Sequence, residues 1–217
     1  DISTMNLGFV RRYLGLSGVN FPRMNLSADT RIQGNTYKAD ALLRQGKGSV
    51  RAKASLDLDN MAYMAKLHAN DMDIRNFLPQ DSIGLLTRSA ELHGHGTDPL
   101  SKATGMEAKV DLKHLEYKEW DVDNARLTAL LKRGKATVEL HCDNDILMAN
   151  ACANAYIDKQ NSKADFSLSM NKINFQALGL TEDSLVVSMV LSLDGATDMK
   201  QTHRLNGSMH SIELATP

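Results

Sequence analysis

The chain has 217 residues, 42% hydrophobic and 24% charged, with a formal net charge of −1. That length supports a buried core, and the balanced charge provides no field of one sign to hold nucleic acid or an anionic membrane surface. No run approaches the ~18 continuous apolar residues of a helical membrane span.

Taken from the start, the chain opens at Asp1 with neither an initiator Met nor a signal peptide, and residues 212–217 stop in what reads as mid-strand. A piece excised from a longer protein is expected. Residues 8–14 fit either helix or strand, with strand preferred. Residues 50–58 (Val50-Arg51-Ala52-Lys53-Ala54-Ser55-Leu56-Asp57-Leu58) alternate apolar and polar without a break, which predicts a strand with one apolar face. Residues 106–112 and 165–171 do the same, and in 185–194 every odd position is apolar. Turn chemistry at 44–48, 57–60, 132–135 and 143–145 separates these runs by short connections, so an antiparallel meander is expected rather than parallel crossovers. Short helical turns fit only at 76–81 and 176–182.

Cys142 and Cys152 flank the turn at 143–145. With the hairpin centred there, opposed residues sum to about 288, placing Cys142 near Ile146 and Cys152 near Ala136. That separation exceeds the ~7 Å limit for a disulfide, so two free thiols are expected.

Internal repetition organises the chain. Ala41-Leu42-Leu43-Arg44-Gln45-Gly46-Lys47 matches Ala129-Leu130-Leu131-Lys132-Arg133-Gly134-Lys135. Further on, Thr97-Asp98 matches Thr197-Asp198, and Val110-Asp111-Leu112 matches Ile212-Glu213-Leu214. One copy is placed at 35–116 and a second at 124–215, with 1–34 the tail of a preceding copy. The second carries extra residues, mainly between Cys142 and Lys163. Stacked copies yield an elongated, mainly β sheet with a continuous apolar face.

Catalytic chemistry finds no footing. No Gly-x-Ser-x-Gly elbow occurs, and His141 and Cys142, adjacent in a strand, face opposite ways. Gly46-Lys47-Gly48 opens a strand, not a helix, so it is no phosphate loop. His93-Gly94-His95 puts two imidazoles on one strand face, with His68 on a possible neighbour. No Cys or carboxylate stands at ligand spacing, so neither a metal nor another cofactor is expected.

What remains is the apolar face. Its inward positions are Val50, Ala52, Ala54, Leu56, Leu58, Leu67, Leu92, Met106, Ala108, Val110 and Leu112 in the first copy. In the second they are Val138, Leu140, Met148, Phe166, Leu168, Met170, Leu185, Val187, Met189, Leu191 and Leu193. The residues leave two readings open, an ordinary sandwich core and an open groove for acyl chains or a partner's strand. The small Ala52, Ala54 and the alanines of 149–155 favour space kept open. Eleven Met residues suit either, because Met adapts to irregular apolar surroundings.

The order Asn35-Thr36-Tyr37-Lys38-Ala39-Asp40-Ala41-Leu42-Leu43, Gly46-Lys47-Gly48, Asn76-Phe77-Leu78-Pro79 and Leu92-His93-Gly94-His95-Gly96-Thr97-Asp98-Pro99 resembles the AsmA-like repeat region of TamB (translocation and assembly module) proteins, Bacteroidetes type. The resemblance spans most of residues 30–215. It implies a half-open, taco-like sheet with an apolar interior in a long periplasmic protein anchored in the inner membrane. It further implies a role in outer-membrane biogenesis, either conducting phospholipid between membranes or assisting assembly of outer-membrane β-barrel proteins, with neighbouring repeats of the same chain as further partners. It brings no catalytic residues. A closed structural or adhesin-like β-module is the alternative left open.

Overall fold

The computed structural model describes residues 2–3, 22–78, 83–117, 120–158, 161–178, 180–198, 200 and 202–215. They form one antiparallel sheet whose strands follow one another in chain order. The strands are β1 (Ile2–Ser3), β2 (Asn25–Gln33), β3 (Thr36–Gln45), β4 (Gly48–Asp57), β5 (Ala62–Asp73), β6 (Ile83–His95), β7 (Gly105–Tyr117), β8 (Trp120–Lys132), β9 (Lys135–Asp143), β10 (Leu147–Tyr156), β11 (Ser162–Asn174), β12 (Val186–Thr197) and β13 (His203–Ala215). A 3₁₀ turn at Ile74–Asn76 follows β5, the Asp73 carboxylate accepting from Arg75 N. Neither end of the sheet meets the other, so it is an open meander and not a barrel. The sequence reading of 8–14 as strand falls outside the described residues, as do parts of 76–81 and 176–182. Residues 175–178 make a turn closed by Leu178 N donating to Asn174 O (3.2 Å).

The alternation read from the sequence becomes two faces, because antiparallel partners share a side of the sheet. One cross-sheet row runs Ala28, Ala41, Ala52, Leu67, Ala90, Val110, Leu127, Leu140, Ala151, Leu168, Leu191, Met209, each residue opposite the next. The other side carries the charges in ladders such as Asp40–Lys53–Lys66–Glu91–Lys109. Arg51 donates to both Asp40 oxygens there (3.1 and 2.8 Å), and Lys66 to Glu91 (3.1 Å).

No second layer of described residues packs over the apolar side. The chain exposes 14603 Å², where a compact monomer of its mass exposes roughly 9,900 Å². Most buried side chains gather near one end of the strands (Ala69, Met72, Cys142, Ile146, Ala149, Ala177 and Val187), with Leu131 and Thr104 buried at the other. A series of irregularities crosses the sheet near that end, at Asp71 (φ 46), Asn124 (φ 53), between Met148 and Ala149, between Met170 and Ile173, and at Ser211 (φ 53). Bulges bend a sheet and sharpen its twist, so this line separates the regularly paired rows from the better-covered end.

The hairpin register needs a correction. Asn144 accepts from the N–H groups of Ile146 and Leu147 (both 3.0 Å), which draws Ile146 into the turn. Opposed residues therefore follow Met148–Asp143, so Cys142 faces Ala149 and Cys152 faces Glu139, not Ile146 and Ala136. The thiols are free and lie on opposite faces, Cys142 buried on the apolar one.

β7 pairs with β8 along its length, from Gly105 opposite Lys132 to Tyr117 opposite Trp120. Between β4 and β6 lies one strand; between β9 and β12 lie two. Thr97-Asp98 follows β6 and Thr197 ends β12, with Asp198 after it. Asp98 accepts from Leu100 N (2.9 Å), and Asp198 from the N–H groups of Lys200 and Thr202 (2.9 Å each).

Candidate functional site: an uncovered apolar face

The structure brings most of the sequence-predicted positions onto one face. Val50, Ala52, Ala54 and Leu56 oppose Ala69, Leu67, Ala65 and Tyr63. Met106, Ala108, Val110 and Leu112 oppose Leu131, Ala129, Leu127 and Ala125. Val138 and Leu140 meet Ala153 and Ala151, while Phe166, Leu168 and Met170 meet Leu193, Leu191 and Met189. Val187 faces Ile173 and Leu214.

Three positions differ. Met148 pairs with Asp143 and Lys172 on the polar face, because the corrected hairpin register sets it opposite Asp143 rather than Leu140; Ala149 takes the inward place. Leu58 sits in the turn after β4, 43% exposed. Leu185 lies in the connection before β12, its carbonyl accepting from Phe175 N (2.9 Å).

Mid-sheet exposure decides what this face is. Leu127, Val138 and Leu140 lie in interior strands, yet they are 38%, 38% and 36% exposed. A closed core would hide such side chains almost wholly. The sandwich reading of the sequence is therefore replaced by an open apolar surface. From β2 to β13 it extends about 50 Å across the strands, and the regularly paired rows from Leu43 to Tyr37 span about 20 Å along them. Alanines line its first strands: Ala28, Ala39, Ala41, Ala52, Ala54 and Ala65.

Gly94 belongs to this face, and its place in His93-Gly94-His95 has a packing cause. A Cβ there would press on the Gly105 carbonyl and the Tyr63 hydroxyl (2.7 Å). His93 and His95 project to the polar side, where His93 Nε2 lies 3.2 Å from Glu107 Oε2. His68 is four residues along β5 from Met64, the partner of His93, and so stands apart. A tighter polar cluster went unread in the sequence: His114, Glu116 and Asp121. Two of its members are already engaged. His114 Nδ1 donates to Asp123 (2.8 Å), and Glu116 takes Leu85 N (3.1 Å) and Arg75 (3.3 Å). The Asp123 bond raises the His114 pKa above the ordinary imidazole value, with Asp121 and Glu116 adding to it against partial burial.

The polar face also holds shallow hollows, one of about 380 Å³ over β8–β12 and one of about 560 Å³ around Asp111 and Arg126. They are gaps between long side chains that bond one another, such as His141 with Asn150 (2.6 Å). Among the described residues, the one buried side-chain polar atom without a partner is Arg88 Nε, on the apolar side.

Fold and face together define an open antiparallel meander, polar on one side and apolar on the other, the apolar side partly exposed over its middle rows among the described residues. Compared with protein-family profiles, curated proteins and solved structures, the chain finds no match. No helix among the described residues is long and apolar enough to cross a membrane.

Proposed function

We propose that this chain is a segment of a periplasmic scaffold in outer-membrane biogenesis whose apolar face conducts phospholipid between membranes. The observation that carries the reading is the unbroken apolar row from Ala28 to Met209, partly exposed even in mid-sheet. Exposing so much apolar surface is unfavourable in water at about 25 cal/mol per Å², and acyl chains remove that penalty without needing specific polar contacts. A face about 20 Å deep accommodates acyl chains that fill a leaflet of about 15 Å. The resemblance to AsmA-like repeats points the same way.

A second reading, a platform for assembling outer-membrane β-barrel proteins, is favoured by one feature. All thirteen residues of the edge strand β13 are exposed, with Leu205 at 74% and Leu214 at 69%. An open apolar edge is a template for pairing with another strand.

Native mass spectrometry of the gently purified chain, followed by lipid extraction, tests the first reading. Stoichiometric phospholipid is expected. A chain that stays lipid-free after incubation with phospholipid vesicles, yet crosslinks through β13 to unfolded barrel protein, would replace it with the second.

A further inference from the structure

Every Asp, Glu, Lys and Arg in β2–β13 falls on the polar face or in a bulge, with one exception. In β6, Leu86, Arg88, Ala90 and Leu92 share the apolar side, and Arg88 stands between Ala69 of β5 and Leu112 of β7. Ala69 is 2% exposed, so the guanidinium stem enters a well-covered apolar site. Its Nε is buried and has no hydrogen-bond partner.

Among the described residues, no neighbouring carboxylate serves as a counter-ion. Asp71 holds the Thr87 hydroxyl (3.1 Å), Asp73 and Glu116 hold Arg75, and Asp111 holds Arg126, all on the other side of the sheet. A guanidinium cannot shed its proton at physiological pH, and an unpaired buried cation is unfavourable. Reaching toward water with its outer nitrogens relieves part of this and leaves Nε unmet.

We infer that Arg88 receives the phosphate of a phospholipid whose acyl chains lie along the adjoining apolar rows, so that lipid is held at a fixed height on the face. The inference rests on the lipid-conducting reading and adds a headgroup position to it. Complementarity selects the ligand. Among the described residues, the apolar face presents a single planar, five-donor cation and rows of Ala, Val and Leu, which suits an amphiphile with one anionic head and long apolar tails. A phosphodiester matches the fork with two parallel bonds. The position fits too: Arg88 lies beside the line of bulges, toward one end of the strands, leaving the rows through Ala90, Leu92 and Gly94 free for the tails.

The test compares dioleoylphosphatidylglycerol with dioleoylglycerol, which share tails and differ in the phosphate headgroup, offered to the whole chain and counted by native mass spectrometry. The wild type is expected to prefer the phosphatidyl lipid by about tenfold or more, the scale of one charged, two-pronged hydrogen bond. Arg88→Gln should bring the ratio near one while dioleoylglycerol uptake persists, and Arg88→Lys should leave a preference of only a few-fold. If Arg88→Gln loses its cooperative melt, Arg88→Lys carries the same test. A preference unchanged in both variants, or a wild type that loads the two lipids equally, overturns the role of Arg88 and leaves the lipid face standing. A wild type that loads neither overturns the lipid face itself.

Discussion

Arginine placed at two apolar-face valines should have very different consequences. Val187 is 7% exposed, at the covered end between Ile173 and Leu214, whereas Val138 is 38% exposed between Ala129 and Ala153. At Val187 the new guanidinium is buried without a partner. An uncompensated buried charge costs about 3–5 kcal/mol, and the lost valine burial adds about 1–2 kcal/mol. For a chain of this size each kcal/mol lowers Tm by about 2–4 °C, so Val187→Arg should melt roughly 10–20 °C lower. At Val138 the long stem lies along the face and its head reaches water, holding the loss to about 1 kcal/mol, or about 2–4 °C. Circular dichroism melts of the two variants beside wild type read this directly. Equal large drops would show that Val138 is as covered as Val187, and the open face would be refuted.

Three further outcomes rest on named groups. His114 has a raised pKa, so its contribution to stability is complete below the ordinary imidazole value near 6.5 and fades as pH rises through the raised one. Wild type should therefore lose Tm slightly between about pH 6 and 8, and His114→Gln should lose less; identical slopes would refute the Asp123 pairing. Burial pushes the Cys142 thiol pKa up, while Cys152 is half-buried on the polar face. Mass-resolved alkylation at pH 8 should modify Cys152 at least about tenfold faster, and comparable rates would mean the covered end opens readily. Met209→Lys puts a charge on the apolar side of the β13 edge, so concentration-dependent association seen by light scattering should fall. Undiminished association would place the contact elsewhere.

Much of the fold is readable in the sequence because period-two alternation is a local signal, and short polar turns such as Arg133-Gly134 leave an antiparallel neighbour as the only economical partner. Bulges are the part that alternation hides. An extra residue such as Asp71 or Asn171 reverses the parity of the rest of its strand, and any odd shift of the hairpin register exchanges the faces, as the move of Met148 from Leu140 to Asp143 shows. The hairpin centre shifted because the Asn144 side chain, rather than the Asp143-Asn144-Asp145 backbone, sets the turn. Arg88 escaped notice although its signal was present. It shares parity with Leu86, Ala90 and Leu92, and the mismatch is visible once β6 is read from Leu86 onward. Whether the apolar side is covered was not legible, since Leu127 has the same pattern in a closed core and on an open face.

Leu127 and Thr128 are consecutive in β8 and point to opposite faces, Leu127 beside Val110 and Leu140, Thr128 beside Lys109 and Glu139. A photo-crosslinking amino acid at each position, illuminated after incubation with phospholipid vesicles, tests the central claim most directly. Position 127 should yield a lipid adduct and position 128 little or none. Equal labelling at both, or labelling at 128 alone, would contradict a lipid-bearing apolar face.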